Sequence, residues 1–130
     1  MIRNKYFRLV VLIFTLLVPL QALSFWSYKI SSPIINDQII FGGLSSNAVS
    51  IIISTLILAL LIFFLASREK VLILWSGLLL SGSVSNIIDR VIYGGVVDYF
   101  NLANLFVFNL SDLLIIFGLS GLVFNYIKKT

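Results

Sequence analysis

Long apolar runs alternate with short polar breaks along this chain. Four runs have the length of helices that cross a bilayer: 9–26, 48–66, 71–88 and 110–127. The first follows Arg3, Lys5 and Arg8, ends in Phe25, Trp26 and Tyr28, and holds Pro19, which predicts a kink that neighbouring helices accommodate. A cleavable signal peptide has the same basic start. The length of the run, its aromatic end and its lack of a small-x-small site predict a retained helix instead. The second run, Ala48 to Ala66, carries no charge and closes on the turn Ser67-Arg68-Glu69-Lys70. The third, Val71 to Ile88, would span about 27 Å at 1.5 Å per residue, enough to cross a bilayer core with little tilt. In it Gly77, Ser81 and Ser85 recur every four positions, which predicts a close helix-packing face. Lys128 and Lys129 close the fourth.

The breaks divide into one short turn and two long loops. Residues 28–47 carry Ile34, Ile35, Ile39 and Ile40 around Asn36-Asp37-Gln38, a pattern for a short extended or hairpin element resting on the membrane surface. The second loop is predicted from Asp89 to Asn109; its part from Tyr99 to Phe108 is mostly apolar and aromatic and should lie in the interface. The expected architecture is a single all-α membrane domain over residues 1–130, with small extended or β elements in the loops.

Composition agrees. The chain is 60% hydrophobic and only 11% charged, against about a quarter charged in soluble domains. The net charge of +4 forms no basic stripe with interleaved aromatics, so it does not predict nucleic-acid binding. Lys and Arg mark topology instead. Arg3, Lys5, Arg8, Arg68, Lys70, Lys128 and Lys129 fall on one side of the four runs, and Lys29 and Arg90 on the other. That asymmetry predicts cytoplasmic termini and both long loops outside.

The residue inventory narrows the chemistry. With no Cys and no His there is no thiolate, no Ser-His-Asp triad and no customary metal ligand set. Any acid–base work must come from carboxylates, Lys, Tyr or the termini. Three of the five acids, Asp89, Asp98 and Asp112, sit in apolar sequence, where a carboxylate is costly and marks a candidate functional site. Asp98 follows Gly94-Gly95-Val96-Val97, and Asp112 opens the fourth run. Two carboxyls meeting at the outer boundary could share one proton and activate a water for attack on an amide. Asp112 also has a purely structural reading, as the third residue of a helix with Asn109 as N-cap. The helix N-terminus favours an anion at Asp112, which leaves Asp98 as proton carrier. Asp89 ends the third run, where the dipole disfavours an anion; Asn86-Asp89-Arg90 reads as a polar clamp tying the loop to the helix end. Glu69 lies in a solvated turn, and Asp37 in plain loop sequence.

Asn86-Ile87-Ile88-Asp89-Arg90, Val96-Val97-Asp98-Tyr99 and Phe108-Asn109-Leu110-Ser111-Asp112 together resemble three linked motifs of the bacterial lipoprotein signal peptidases, signal peptidase II. Asn36, Phe41 and Gly42 match the spacing of a further segment of that family, while Gln38 and Ile40 do not. The family usually has Asp-Gln and a following Lys near the end of the first helix. Here Leu20-Gln21 keeps the Gln alone, Ser111 replaces an Ala, and the connection between the two aspartates is reduced. The resemblance implies a catalytic dyad of Asp98 and Asp112. It implies that Asn36, Asn86, Arg90 and Asn109 position substrate or support the site, with Asp89 in the supporting clamp. It implies hydrolysis of the bond before a diacylglyceryl-cysteine in a prolipoprotein at the outer face of the bacterial inner membrane. No metal or other cofactor is expected, membrane lipids are the other partners, and the protein is expected to be a monomer.

Two further classes compete. A non-catalytic four-helix protein could bind lipopeptides, and a small transporter could use the acids as an ion path, although transport predicts acids near the midplane rather than at helix ends. A Ser-Lys hydrolase would need Lys29, to which no serine is tied by a recognisable motif.

Overall fold

A computed structural model describes residues 2–36, 58 and 72–128 of the chain. Among them three helices run Ile2–Ile30 (α1), Leu72–Tyr93 (α2) and Leu110–Ile127 (α3). Four short strands, Ile34–Asn36 (β1), Val96–Asp98 (β2), Phe100–Leu102 (β3) and Phe106–Phe108 (β4), lie between them. The fold is helical with two small antiparallel sheets, β1 with β2 and β3 with β4. The predicted run 48–66 and the turn at 67–70 lie outside the described residues, as does the first loop from Asp37 onward.

Among the described residues two stretches, Phe7–Ile30 and Leu110–Ile127, are long and apolar enough to cross a membrane. Each buries little of itself, and Phe14, Val18, Ile116, Phe117 and Phe124 point outward. Apolar faces of this kind are stable where lipid, not water, surrounds them.

Helix α2 packs against both of the others, and its small residues set the spacing. Ser81 and Ser85 are fully buried, and a Cβ on Gly77 would collide with the Leu12 side chain of α1. The expected small-residue face is therefore the contact with α1. The contact with α3 uses different residues. A Cβ on Gly118 would stand 2.6 Å from Leu79 N and 2.7 Å from Trp75 O, and one on Gly82 would meet Ser111 O. Backbone approaches backbone there, so only glycine fits. Ser81 and Ser83 turn their hydroxyls back to Gly77 O and Leu79 O, at 2.6 and 2.8 Å, which removes unpaired polar groups from the apolar region.

One boundary differs from expectation. The third run was predicted to end at Ile88, but α2 continues to Tyr93, so Asp89 and Arg90 lie on the helix rather than in the loop. The stop signal is Gly94-Gly95: Gly94 has φ 80°, the left-handed geometry of a helix terminator, and its N–H reaches Arg90 O at 3.2 Å. Gly95 then lets β1 come close, since a Cβ there would lie 2.8 Å from Asn36 O.

The stretch Tyr99 to Phe108 is a β-hairpin. Phe100 pairs with Phe108 and Leu102 with Phe106, and the two-residue turn Ala103-Asn104 has φ of 51° and 61°. The turn closes through Leu105 N–H to Leu102 O at 2.9 Å, and Asn104 N–H donates to Asn101 Oδ1 at 2.9 Å. Its outer residues Phe100, Leu102, Leu105 and Phe106 are exposed.

Candidate active site

Of the acids expected from the sequence, Asp98 and Asp112 lie on elements that meet where α2, α3 and the β1–β2 pair come together, and Asp89 lies on α2 facing α1. β2 is buried along its whole length, and Asp98 at its end is only 3% exposed. β1 pairs antiparallel with it, Ile34 opposite Asp98 and Asn36 opposite Val96. That register sets Asn36 diagonal to Asp98 on one face of the pair, and its Nδ2 donates to Asp98 Oδ2 at 3.2 Å. The other oxygen, Asp98 Oδ1, is buried and accepts no hydrogen bond from the described residues. Burial pushes the Asp98 carboxyl up to about 7; the Asn36 hydrogen bond opposes this, the charges of Asp112 and Asp89 add to it, and the Arg90 guanidinium again opposes it.

Asp112 is half-buried in the first turn of α3. It forms a reciprocal capping box with Asn109: Asp112 N–H donates to Asn109 Oδ1 at 2.9 Å, and Asn109 N–H donates to Asp112 Oδ2 at 3.1 Å. Its Oδ1 accepts from Asn86 Nδ2 at 2.9 Å, across from α2. The structural role weighed for Asp112 is thus present, and the same carboxylate also faces the neighbouring helix.

Asn109 joins the two acids. Fully buried, it caps α3 through Oδ1, while its Nδ2 donates to Asn86 Oδ1 at 3.1 Å and Val97 O at 3.4 Å. Val97 adjoins Asp98, so one amide links the strand carrying one acid to the helix carrying the other. The next free N–H of α3, that of Leu110, donates to Tyr99 Oη at 3.2 Å. Burial raises the Tyr99 phenol above its ordinary range, leaving it neutral over the working pH.

Asp89 is wholly buried and faces the other way, toward α1. Its Oδ1 accepts from Gln21 Nε2 at 3.1 Å, and its Oδ2 from Ser24 Oγ at 3.0 Å and Val97 N–H at 3.2 Å. Arg90 donates from Nη1 to Asn86 O at 3.3 Å. Hydrogen bonds therefore join Asn36 to Asp98 and Asn86, Asn109 and Asp112 to one another, with Arg90 on Asn86; the Val97 backbone connects both groups, and Asp89, to one another. Among the described residues no cluster of His, Cys, Asp or Glu has the makings of a metal site.

Two partners of this network escape a reading of the acids alone, Ser24 and Tyr99. Ser24 falls on a stripe of α1, with buried Leu20 and Ser27 at spacings of four and three. A small polar stripe on an otherwise lipid-facing helix is the signal that could have found it. Leu20, standing where an acid was expected by resemblance, is itself buried and apolar.

Comparison with known proteins supplies independent observations. The profile described as Signal peptidase (SPase) II matches residues 30–128. A lipoprotein signal peptidase of Rickettsia conorii is 34% identical over 107 residues, covering 78% of this chain and 51% of that protein. Those of Moorella thermoacetica and Rhodopseudomonas palustris are 36% and 34% identical, over 58% and 53% of this chain and 54% and 47% of theirs. The chain thus spans about half the length of these curated relatives. Two solved structures described as a bacterial membrane enzyme share the fold. One has a TM-score of 0.78 at 21% identity, covering 92% of this chain and 87% of that one; the other has 0.73 at 22%, covering 94% of each. The chain is a membrane protein and belongs to the signal peptidase II family.

Proposed function

We propose that the protein is an intramembrane aspartic endopeptidase that removes the signal peptide from diacylglyceryl-cysteine prolipoproteins. One observation carries the reading. Asp98 is a buried carboxyl raised to about 7, with one oxygen unpartnered, linked through Asn109 to a second carboxylate. A carboxyl poised near neutrality beside another is suited to general acid–base chemistry.

In the proposed reaction Asp112 takes a proton from water while the water oxygen attacks the scissile carbonyl carbon. Asp98 gives its proton to the carbonyl oxygen, forming a tetrahedral diol. Collapse returns one hydroxyl proton of the diol to Asp98, re-forms the carbonyl and breaks the C–N bond, and the proton held by Asp112 passes to the departing amine of the lipid-modified cysteine. Atoms and charge balance without a metal. Asn36, Asn86 and Asn109 hold the carboxyls, and Arg90 supplies positive charge beside them.

The topology belongs to this proposal. Residues 1–130 form one domain of four spans, with both termini in the cytoplasm and the acids just under the outer headgroups of the bacterial inner membrane. A lipid-anchored substrate presents its scissile bond at that depth, so the protein acts as a monomer on prolipoprotein delivered by the bilayer. The reading that Asp112 serves only as a cap draws on its capping box. Separate Asp98→Asn and Asp112→Asn variants, assayed in proteoliposomes on a lipid-modified precursor, decide between them. Loss with either supports the dyad, and retained cleavage in both removes it.

A further inference from the structure

We infer that Gln21 and Ser24 of α1 are positioning residues that set the height of Asp98 through Asp89, an inference that rests on the proposed role of Asp98. Asp89 is the one fully buried acid that the proposed chemistry leaves unused. Its carboxylate is a junction of three elements. Ser24 Oγ and Val97 N–H donate to the same oxygen, Oδ2, at 3.0 and 3.2 Å. Gln21 Nε2 donates to the other at 3.1 Å, and is fixed on α2 by Ser85 Oγ at 3.0 Å and Ser85 O at 3.1 Å.

The consequence lies in the backbone. Val97 has both its polar backbone groups tied down by side chains outside the β1–β2 pair: its N–H by Asp89 and its C=O by Asn109 Nδ2. Val97, the residue leading into Asp98, is thereby held between α1–α2 on one side and α3 on the other. Removing the Ser24 hydroxyl leaves Asp89 Oδ2 with one donor fewer, so the buried carboxylate moves toward whatever donors remain. Val97 and Asp98 follow it, because among the described residues Asn36 is the side chain that holds the Asp98 carboxyl. The charged and titratable groups that then act on Asp98 are Asp112 from α3 and Asp89 and Arg90 from α2. Displacement opens the carboxyl to water, so its proton affinity falls toward that of an ordinary aspartate.

The test uses full-length wild type, Ser24→Ala, Ser24→Thr, Gln21→Leu and Asp98→Asn in proteoliposomes. Cleavage of a lipid-modified precursor is followed across pH, and the Asp98 carboxyl is titrated by infrared difference spectroscopy, its band identified by its loss in Asp98→Asn. Ser24→Ala and Gln21→Leu are expected to lower kcat about tenfold to a hundredfold with KM little changed, as misplaced reacting groups do. The alkaline limb of kcat and the infrared midpoint move together to lower pH, by about one unit, as burial is relieved. Ser24→Thr, which keeps the hydroxyl, restores both. Wild-type kcat and an unmoved infrared midpoint in both Ser24→Ala and Gln21→Leu overturn the inference. So does a lowered kcat with an unmoved midpoint, which would mark a general loss of structure. If Asp98→Asn cleaves normally, the aspartate mechanism fails by itself, and the infrared midpoint still decides whether α1 sets the environment of Asp98.

Discussion

Asp98→Asn should flatten the pH dependence of stability by an amount that follows from the burial of one carboxyl. The side chain is 3% exposed and its proton affinity is raised from 3.8 to about 7. In the unfolded chain the same group titrates near its ordinary value. Between those two values the folded protein keeps a proton that the unfolded chain has lost, so stability falls as pH rises. The contribution is fully favourable below the unfolded value and is lost by the time pH passes the folded one. Three units correspond to about 4 kcal/mol at about 1.36 kcal/mol per unit, of which about 3 kcal/mol falls between pH 5 and 8. An asparagine keeps an oxygen for the Asn36 amide and cannot titrate. Reversible unfolding in mixed micelles at pH 5 and pH 8 measures the difference. Wild type should lose about 3 kcal/mol more than Asp98→Asn over that interval. If the two proteins show the same pH slope within about 0.5 kcal/mol, the usual error of additivity, Asp98 does not hold a proton near neutrality and the division of roles fails.

Other expectations follow from the same contacts. Asn109→Ala should destabilise by about 2–4 kcal/mol, about 1 from the lost cap and the rest from stranding Asn86 Oδ1 and Val97 O; Asn109→Ser should recover the cap and no more, as read by unfolding in detergent. Gly118→Ala should cost about 1–3 kcal/mol because its new methyl meets backbone of α2; Gly77→Ala, opposed only by the Leu12 side chain, should cost less, and an equal loss would contradict the packing described. The chain has no cysteine, so Leu105→Cys can carry a single spin label. In nanodiscs that label should be relaxed by oxygen more than by a water-soluble nickel chelate, and the reverse would remove the hairpin from the interface.

Element boundaries were legible wherever the chemistry of the stop was local. The fourth run, 110–127, coincides with α3 because Asn109 and Asp112 carry their own capping signal. The third apolar run ends at Ile88 because Asp89-Arg90 interrupts the pattern, and an acid near a helix C-terminus is unfavourable in isolation. In the fold that cost is offset by Gln21 and Ser24, more than sixty residues away in sequence, so the helix continues to the Gly94 stop. Long-range donors leave no mark on the local pattern. The hairpin was hidden for another reason: its turn is Ala103-Asn104, without the glycine that announces a two-residue turn, and cross-strand pairs of Phe100 with Phe108 and Leu102 with Phe106 replace the usual alternation.

Asp89, Asp98 and Asp112 also show why residue type alone could not divide their roles. All three sit in apolar sequence, and each must be compensated once folded. Asp89 receives a donor for Oδ1 and two for Oδ2, so nothing of it remains for a substrate. Asp112 has a donor on each oxygen, one of them from its own helix cap, and stays half-exposed. Among the described residues Asp98 has a single donor on one oxygen and none on the other, although it is almost as deeply buried as Asp89. A buried carboxyl oxygen without a donor is costly for an anion and tolerable for a protonated group. Among the described residues Asp98 meets fewer donors than Asp89, and that unequal supply is what supports the proposed assignment of Asp98 as the proton carrier.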